Sequence, residues 1–158
     1  MKLILLICLL ALFTVSADAV VTKNVSVKVN IFKNSNSAEL FIEADHDMYT
    51  AIYSAEKESF LDLNMGFTLS SPVSSTGGYK IELMGSEHQC DSKPIDVDIL
   101  FDDIKLDNDL TGELSFQDSD DDIRSSWHQF TLIYPDLLQT DNSQQCSGSL
   151  NILASLVL

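Results

Sequence analysis

Beyond residue 20, apolar and polar residues alternate with a period of two along much of the chain. Val25, Val27, Val29 and Ile31 take odd positions while Asn24, Ser26, Lys28 and Asn30 take even ones, so one face can be buried and the other stay wet. The same pattern runs through Leu61, Leu63, Met65, Phe67 and Leu69, through Tyr79, Ile81 and Leu83, and through Ile95, Val97, Ile99 and Phe101. Shorter strands are predicted at 40–42, 49–53, 110–116 and 128–134, the last with Phe130 and Leu132 inward. The closing run from Gly148 puts Leu150, Ile152, Ala154, Leu156 and Leu158 on one side. Turn-forming stretches separate these runs: KNSNS at 33–37, SSPVSSTGG at 70–78, DNDLTG at 107–112 and DSDDD at 118–122. No segment keeps a helical period for three turns. Many short strands with polar turns between them predict an all-β, immunoglobulin-like β-sandwich.

The chain opens differently. Met1 and Lys2 form a short positive start, Leu3 to Val15 is almost wholly apolar, and Ala17-Asp18-Ala19 is a small-x-small cleavage site, which together read as a secretory signal peptide over 1–19. The apolar run is shorter than the roughly 20 residues a bilayer core requires. Cleavage after Ala19 leaves 139 of 158 residues, enough for one domain with one core. That segment carries one charge of each sign, so the net charge stays at −15, which excludes partners that need a basic patch, nucleic acid above all.

Cleavage also removes Cys8. Cys90 and Cys146 remain, in a chain sent to a compartment where disulfides form, so one bridge is expected.

Candidate chemistry is sparse. Asp107, Asp109, Thr111, Gly112 and Asp118 follow the spacing of an EF-hand loop, but position twelve carries Asp where a bidentate Glu is usual, and the flanks read as strands. A solvated hairpin turn is the expectation there, with no metal site. His46, His88 and His128 show neither HxH nor HExxH spacing. There is no GxSxG elbow and no glycine-rich phosphate loop, so neither an enzyme nor a cofactor is expected. Trp127, the sole tryptophan, is expected at the core or rim near the start of a strand.

Both ends of the mature chain carry a resemblance. VVTKNVSVKVNI directly after the signal site and CSGSLNILASLVL at the terminus resemble the ends of chaperone-usher pilins, most nearly the major subunits of the alpha-fimbrial, colonisation-factor type. KESFLDLNMGFTLSS followed by GYKIELM resembles that family's central strand pair. The Cys90 and Cys146 pair and the acidic loop at 118–122 depart from the family's best-known major subunits.

The resemblance implies an immunoglobulin-like sandwich that lacks its last strand and is completed by a neighbour. Residues 20–36 would be a donor-strand extension, with Val21, Val25, Val27, Val29 and Ile31 entering the groove of the next subunit, and residues 37–158 would be the pilin domain. Leu150, Ile152, Ala154, Leu156 and Leu158 would form the edge strand of the acceptor groove. Implied partners are neighbouring subunits in a homopolymer, a periplasmic chaperone, an outer-membrane usher and, where the subunit itself adheres, a host-surface receptor. The implied location is a fimbria at the cell surface. A different class remains open on the residues alone: a secreted monomeric β-sandwich that pairs 20–32 within its own sheet and acts as a binding module.

Overall fold

The computed structural model describes residues 24–33, 40–106, 111–138 and 144–157. Twelve strands follow in order: β1 Asn24–Lys33, β2 Phe41–Ala44, β3 Met48–Ser54, β4 Ser59–Phe60, β5 Leu63–Pro72, β6 Tyr79–Cys90, β7 Lys93–Pro94, β8 Asp98–Phe101, β9 Ile104–Lys105, β10 Asp118–Ser119, β11 Ile123–Ile133 and β12 Cys146–Leu156. The fold is all-β, with no helix among the described residues. One open sheet has the order β4-β3-β1-β12-β6-β7; the other runs β2-β5-β11-β8-β9, with β10 paired to β11.

The alternation in sequence becomes the inside and outside of a sandwich. Met65, Phe67 and Leu69 of β5 meet Phe130 and Leu132 of β11 on the inner face of one sheet, while Tyr79 and Ile81 of β6 and Leu150, Ile152 and Ala154 of β12 fill the inner face of the other. Phe67 stacks on Phe130 at 5.6 Å between ring centres. Burying such side chains stabilises the fold by about 1.5–3 kcal/mol each.

Two hairpins turn on two residues. Asp91 and Ser92 between β6 and β7, and Asp102 and Asp103 between β8 and β9, all have positive φ. A two-residue turn that matches the twist of its strands needs that backbone, and Asp tolerates it better than most side chains do.

Several expectations are corrected. Leu61 lies outside any strand and is exposed, because β5 begins only at Leu63. Ile95 and Val97 rest half-buried against the core from a loop, and only Asp98–Phe101 pairs as a strand. From the predicted strand at 110–116 the structure keeps one isolated bridge, Leu114 to Tyr79, while Leu110 lies outside the described residues. β6 is longer than predicted, because an irregularity in its pairing disguises it. Asn151 pairs with Gly85 and Ile152 with Leu83, so Met84 is an extra residue that bulges outward. Beyond it the inward parity switches from odd to even. His88 and Cys90 point into the sandwich as Tyr79 and Ile81 do.

Candidate functional site

β3 and β12 are not paired to each other; both pair with β1, which occupies a gap one strand wide between them. β1 runs parallel to β12 over nine residue pairs, from Val25 opposite Cys146 to Lys33 opposite Ala154. It runs antiparallel to β3 over five, from Asn24 opposite Ile52 to Lys28 opposite Met48. All the other strand pairs among the described residues are antiparallel. Without β1 the gap would have Tyr49 and Ala51 of β3 on one side and Leu150, Ile152 and Ala154 of β12 on the other, all of them buried. Its two rims would also present unpaired backbone donors and acceptors, which in an edge strand invite pairing with another chain.

The sequence-predicted residues fall on this gap as follows. Val27 is completely buried, at 0% exposure. Val25, Val29 and Ile31 lie on β1, and Val21 is outside the described residues. Leu150, Ile152 and Ala154 are buried, Leu156 is half-buried, and Leu158 is outside the described residues. Within this single chain, residues 24–33 fill the gap of their own sheet.

Cys90 and Cys146 form the expected disulfide, joining two residues that lie directly opposite each other on β6 and β12. The next inward row along these strands is Val27, Gly148 and His88. A side chain at residue 148 would collide with the imidazole of His88, meeting Cε1 at 2.7 Å and Cγ at 3.0 Å. Gly148 is thus the floor on which the ring lies, and the ring takes the space between β6 and the strand that fills the gap.

His88 is only 6% exposed. Its Nε2 is 2.8 Å from Ser86 Oγ, whereas its Nδ1 is buried with no hydrogen-bond partner. Burial alone pushes the imidazole below its ordinary pKa of 6.5. Tyr134 stands edge-on to the ring at 6.0 Å. Its hydroxyl too is buried without a partner, and burial pushes the phenol well above its usual range. A cavity of about 500 Å³ opens beside His88, with Glu87, Asp96 and Gly148 among its lining residues. Sequence reading missed this cluster because the Met84 bulge hides the inward parity of His88.

A second buried polar chain crosses the sandwich. His128 Nδ1 is 2.6 Å from Asp102 Oδ2, and its Nε2 is 2.5 Å from the hydroxyl of Tyr79. With Nδ1–H donating to the carboxylate, Nε2 accepts the Tyr79 proton, so a carboxylate, an imidazole and a hydroxyl stand in line. Tyr79 is 0% exposed and its phenol is raised by burial, so the hydroxyl is closed to substrate and the chain braces one sheet against the other.

Trp127 is not in the core. It is the fifth residue of β11, on the outer face of its sheet, 51% exposed, and its Nε1–H donates to Asp45 Oδ2 at 3.2 Å. His46, on the β2–β3 loop, is exposed. Of the EF-hand-like positions, Asp107 and Asp109 lie outside the described residues, and Asp118 is exposed on β10. Among the described residues no group of three or more His, Cys, Asp or Glu side chains is placed to hold a metal ion. No protein-family model matches the chain, and comparison with curated proteins finds no sequence match.

Proposed function

We propose that the chain is the structural subunit of a surface fibre of the chaperone-usher kind, which polymerises when residues 20–36 of one subunit enter the gap between β3 and β12 of the next. The observation that carries this reading is the gap itself, one strand wide, buried on both sides, and filled by the first described strand of the chain.

Strand direction supplies the driving force. β3 and β12 run antiparallel to each other, so any strand between them must be parallel to one and antiparallel to the other. The chain's own β1 puts nine pairs in the parallel ladder and five in the antiparallel one. A donor entering the other way round would put the longer ladder in the antiparallel form, which is slightly more stable per residue. Exchange with a neighbour is then downhill even when the side chains that enter are the same. Completed in this way, the sandwich is the immunoglobulin-like fold that the strand pattern suggests.

Strand addition joins subunits through backbone hydrogen bonds, with alternate side chains seated in pockets. Full burial of Val27 contributes about 1.5–3 kcal/mol. An empty gap exposes apolar residues and unpaired edges, so the reading includes a periplasmic chaperone that covers the gap and an outer-membrane usher at which the exchange takes place. A host-surface receptor for the assembled fibre belongs to the same reading. So does export through the periplasm, with residues 1–19, which lie outside the described residues, as the signal peptide.

The competing reading is a self-contained secreted β-sandwich that binds its partner as a monomer, and the pairing of β1 within its own sheet favours it. One pair of variants separates the two. Val27→Ser with Val29→Ser should abolish fibres seen by electron microscopy of exporting cells while leaving the subunit recoverable with its chaperone. Attaching residues 20–36 after Leu158 through a flexible linker, in place of their native position, should yield a monomer that resists urea better than the native subunit. A native protein that is monomeric at every concentration and unfolds when 20–36 is deleted, with no rescue by that segment as a peptide, refutes strand donation.

A further inference from the structure

We propose that His88 is the gate of the strand-accepting gap: its neutral ring, lying on Gly148, walls the pocket that takes Val27, and its protonation loosens whichever strand is inserted. The inference rests on the strand-donation reading and adds a control to it.

The geometry brings three strands together in one row. Val27 is opposite Gly148, Gly148 is opposite His88, and the imidazole covers the glycine. Neighbouring strands lie about 4.8 Å apart, so a ring reaching over residue 148 comes up against the side chain of the strand in the gap. With that strand in place, both Val27 and His88 are buried. With the strand gone, the covering side of the ring is open to water.

Several groups face the ring. Ser86 approaches from its own strand, Tyr134 from the segment after β11 and Gly148 from β12, while Val27 of β1 shares their row and the Cys90–Cys146 bridge holds the next inward row. Tyr134 is the titratable group in contact, and burial keeps its phenol protonated. The carboxylates of Glu87 and Asp96 line the adjoining cavity from exposed positions. Neither offsets the burial of His88, whose sole cause of shift is desolvation. An imidazolium formed here would have no acceptor at Nδ1 and only a serine hydroxyl at Nε2.

The direction follows from linkage. The filled state disfavours the charged imidazole and the open state gives the ring back to water, so the filled state keeps its full stability above the ordinary pKa of 6.5. As pH falls through 6.5, protons bind the open state and the filled state loses ground. For an open-state pKa of about 6.5 the open population should rise between pH 7.5 and pH 5.0, by at most about thirtyfold, the ceiling set by a filled state that never takes up the proton.

Two measurements on the full chain test this. The protection factors against hydrogen exchange of the β1 amides, and of those β12 amides that bond to β1, should fall over that range by up to about thirtyfold, while those of β5 and β11 stay level. A fluorescein-labelled peptide of residues 24–33 should be incorporated faster at pH 5.0 than at pH 7.5, by up to about thirtyfold, as read by anisotropy. In His88→Gln both differences should shrink to less than threefold. Equal pH profiles in the native chain and His88→Gln, or a loss of protection spread evenly over both sheets, overturn the gate while strand donation stands. If the peptide is never incorporated at either pH and β1 protection equals that of β5, strand donation falls and the gate falls with it. Should His88→Gln fail to fold, the comparison of β1 with β5 in the native chain decides by itself.

Discussion

The link from Tyr79 through His128 to Asp102 makes a test of how the two sheets are held, because both its bonds to His128 are short and its central atoms are buried. Tyr79→Phe removes one hydroxyl and leaves His128 Nε2 buried with no donor, which should cost about 1–3 kcal/mol. His128→Leu leaves the Tyr79 hydroxyl without its acceptor. Ser126, also in hydrogen-bond contact with that hydroxyl, holds this polar cost to the lower end of the same range. His128 also packs at 5.0 Å from Phe101 and 5.8 Å from Phe67, so losing the ring adds about 0.5–1.5 kcal/mol. Asp102 sits at an exposed turn and regains water, so its release adds little. In the double variant no buried nitrogen or hydroxyl of the pair is left over. Its cost should therefore fall short of the sum of the singles by about 1–2 kcal/mol. Urea unfolding at pH 7 measures all four corners of the cycle, and with a slope of about 1–3 kcal/mol per molar each single should move the midpoint by roughly 1 M. Additivity to within about 0.3–0.5 kcal/mol would refute the reasoning, since the contact would then carry no energy of its own.

Two further outcomes follow from the same structure. Cys146→Ser opens a 57-residue loop (90 to 146 inclusive) and should destabilise the protein by about 2–5 kcal/mol, so an unchanged urea midpoint relative to the oxidised native chain would count against the bridge as a stabiliser. Gly66→Ala would drive a methyl group into the carboxylate of Asp45 and to 2.9 Å from Trp127 Cζ2, so it should cost about 1–3 kcal/mol and shift the emission of the sole tryptophan to the red as the indole lifts away, whereas an unaltered spectrum would contradict the contact.

The all-β character was legible because burial on one face leaves a period of two that composition cannot hide: Met65, Phe67 and Leu69, and again Leu150, Ile152 and Ala154, are inward as the alternation says. The disulfide was legible because only two cysteines, Cys90 and Cys146, stand beyond the expected signal segment. Ile95 and Val97 were misread because an apolar residue in a loop that lies over the core alternates just as one in a strand does. The choice between core and rim for Trp127 was not legible, because the apolar bulk of an indole suits either, and it is Gly66 on the neighbouring strand that gives the ring a surface on the outside to lie against. The direction of β1 was beyond the pattern altogether. Alternation says which side chains share a face but is the same read forwards or backwards, so it does not distinguish a parallel insertion from an antiparallel one.

The features that make the gap a candidate site depend on one inserted residue. Had β6 continued past Leu83 without Met84 bulging out, the residues next in line to face the core would have been Gly85, Glu87 and Gln89, and two polar side chains would have been forced inside without partners. The bulge moves Glu87 and Gln89 to the wet face and turns Ser86, His88 and Cys90 inward. Cys90 then meets Cys146 across the ladder and ties β12 to β6. On the strand-donation reading that tie matters, since β12 would lose β1 and remain anchored along its length to β6, covalently at the end where the parallel ladder with β1 begins. The same shift of parity sets His88 over Gly148. A local irregularity thus ties β12 to β6 and, on the strand-donation reading, puts a titratable ring beside the strand that exchanges.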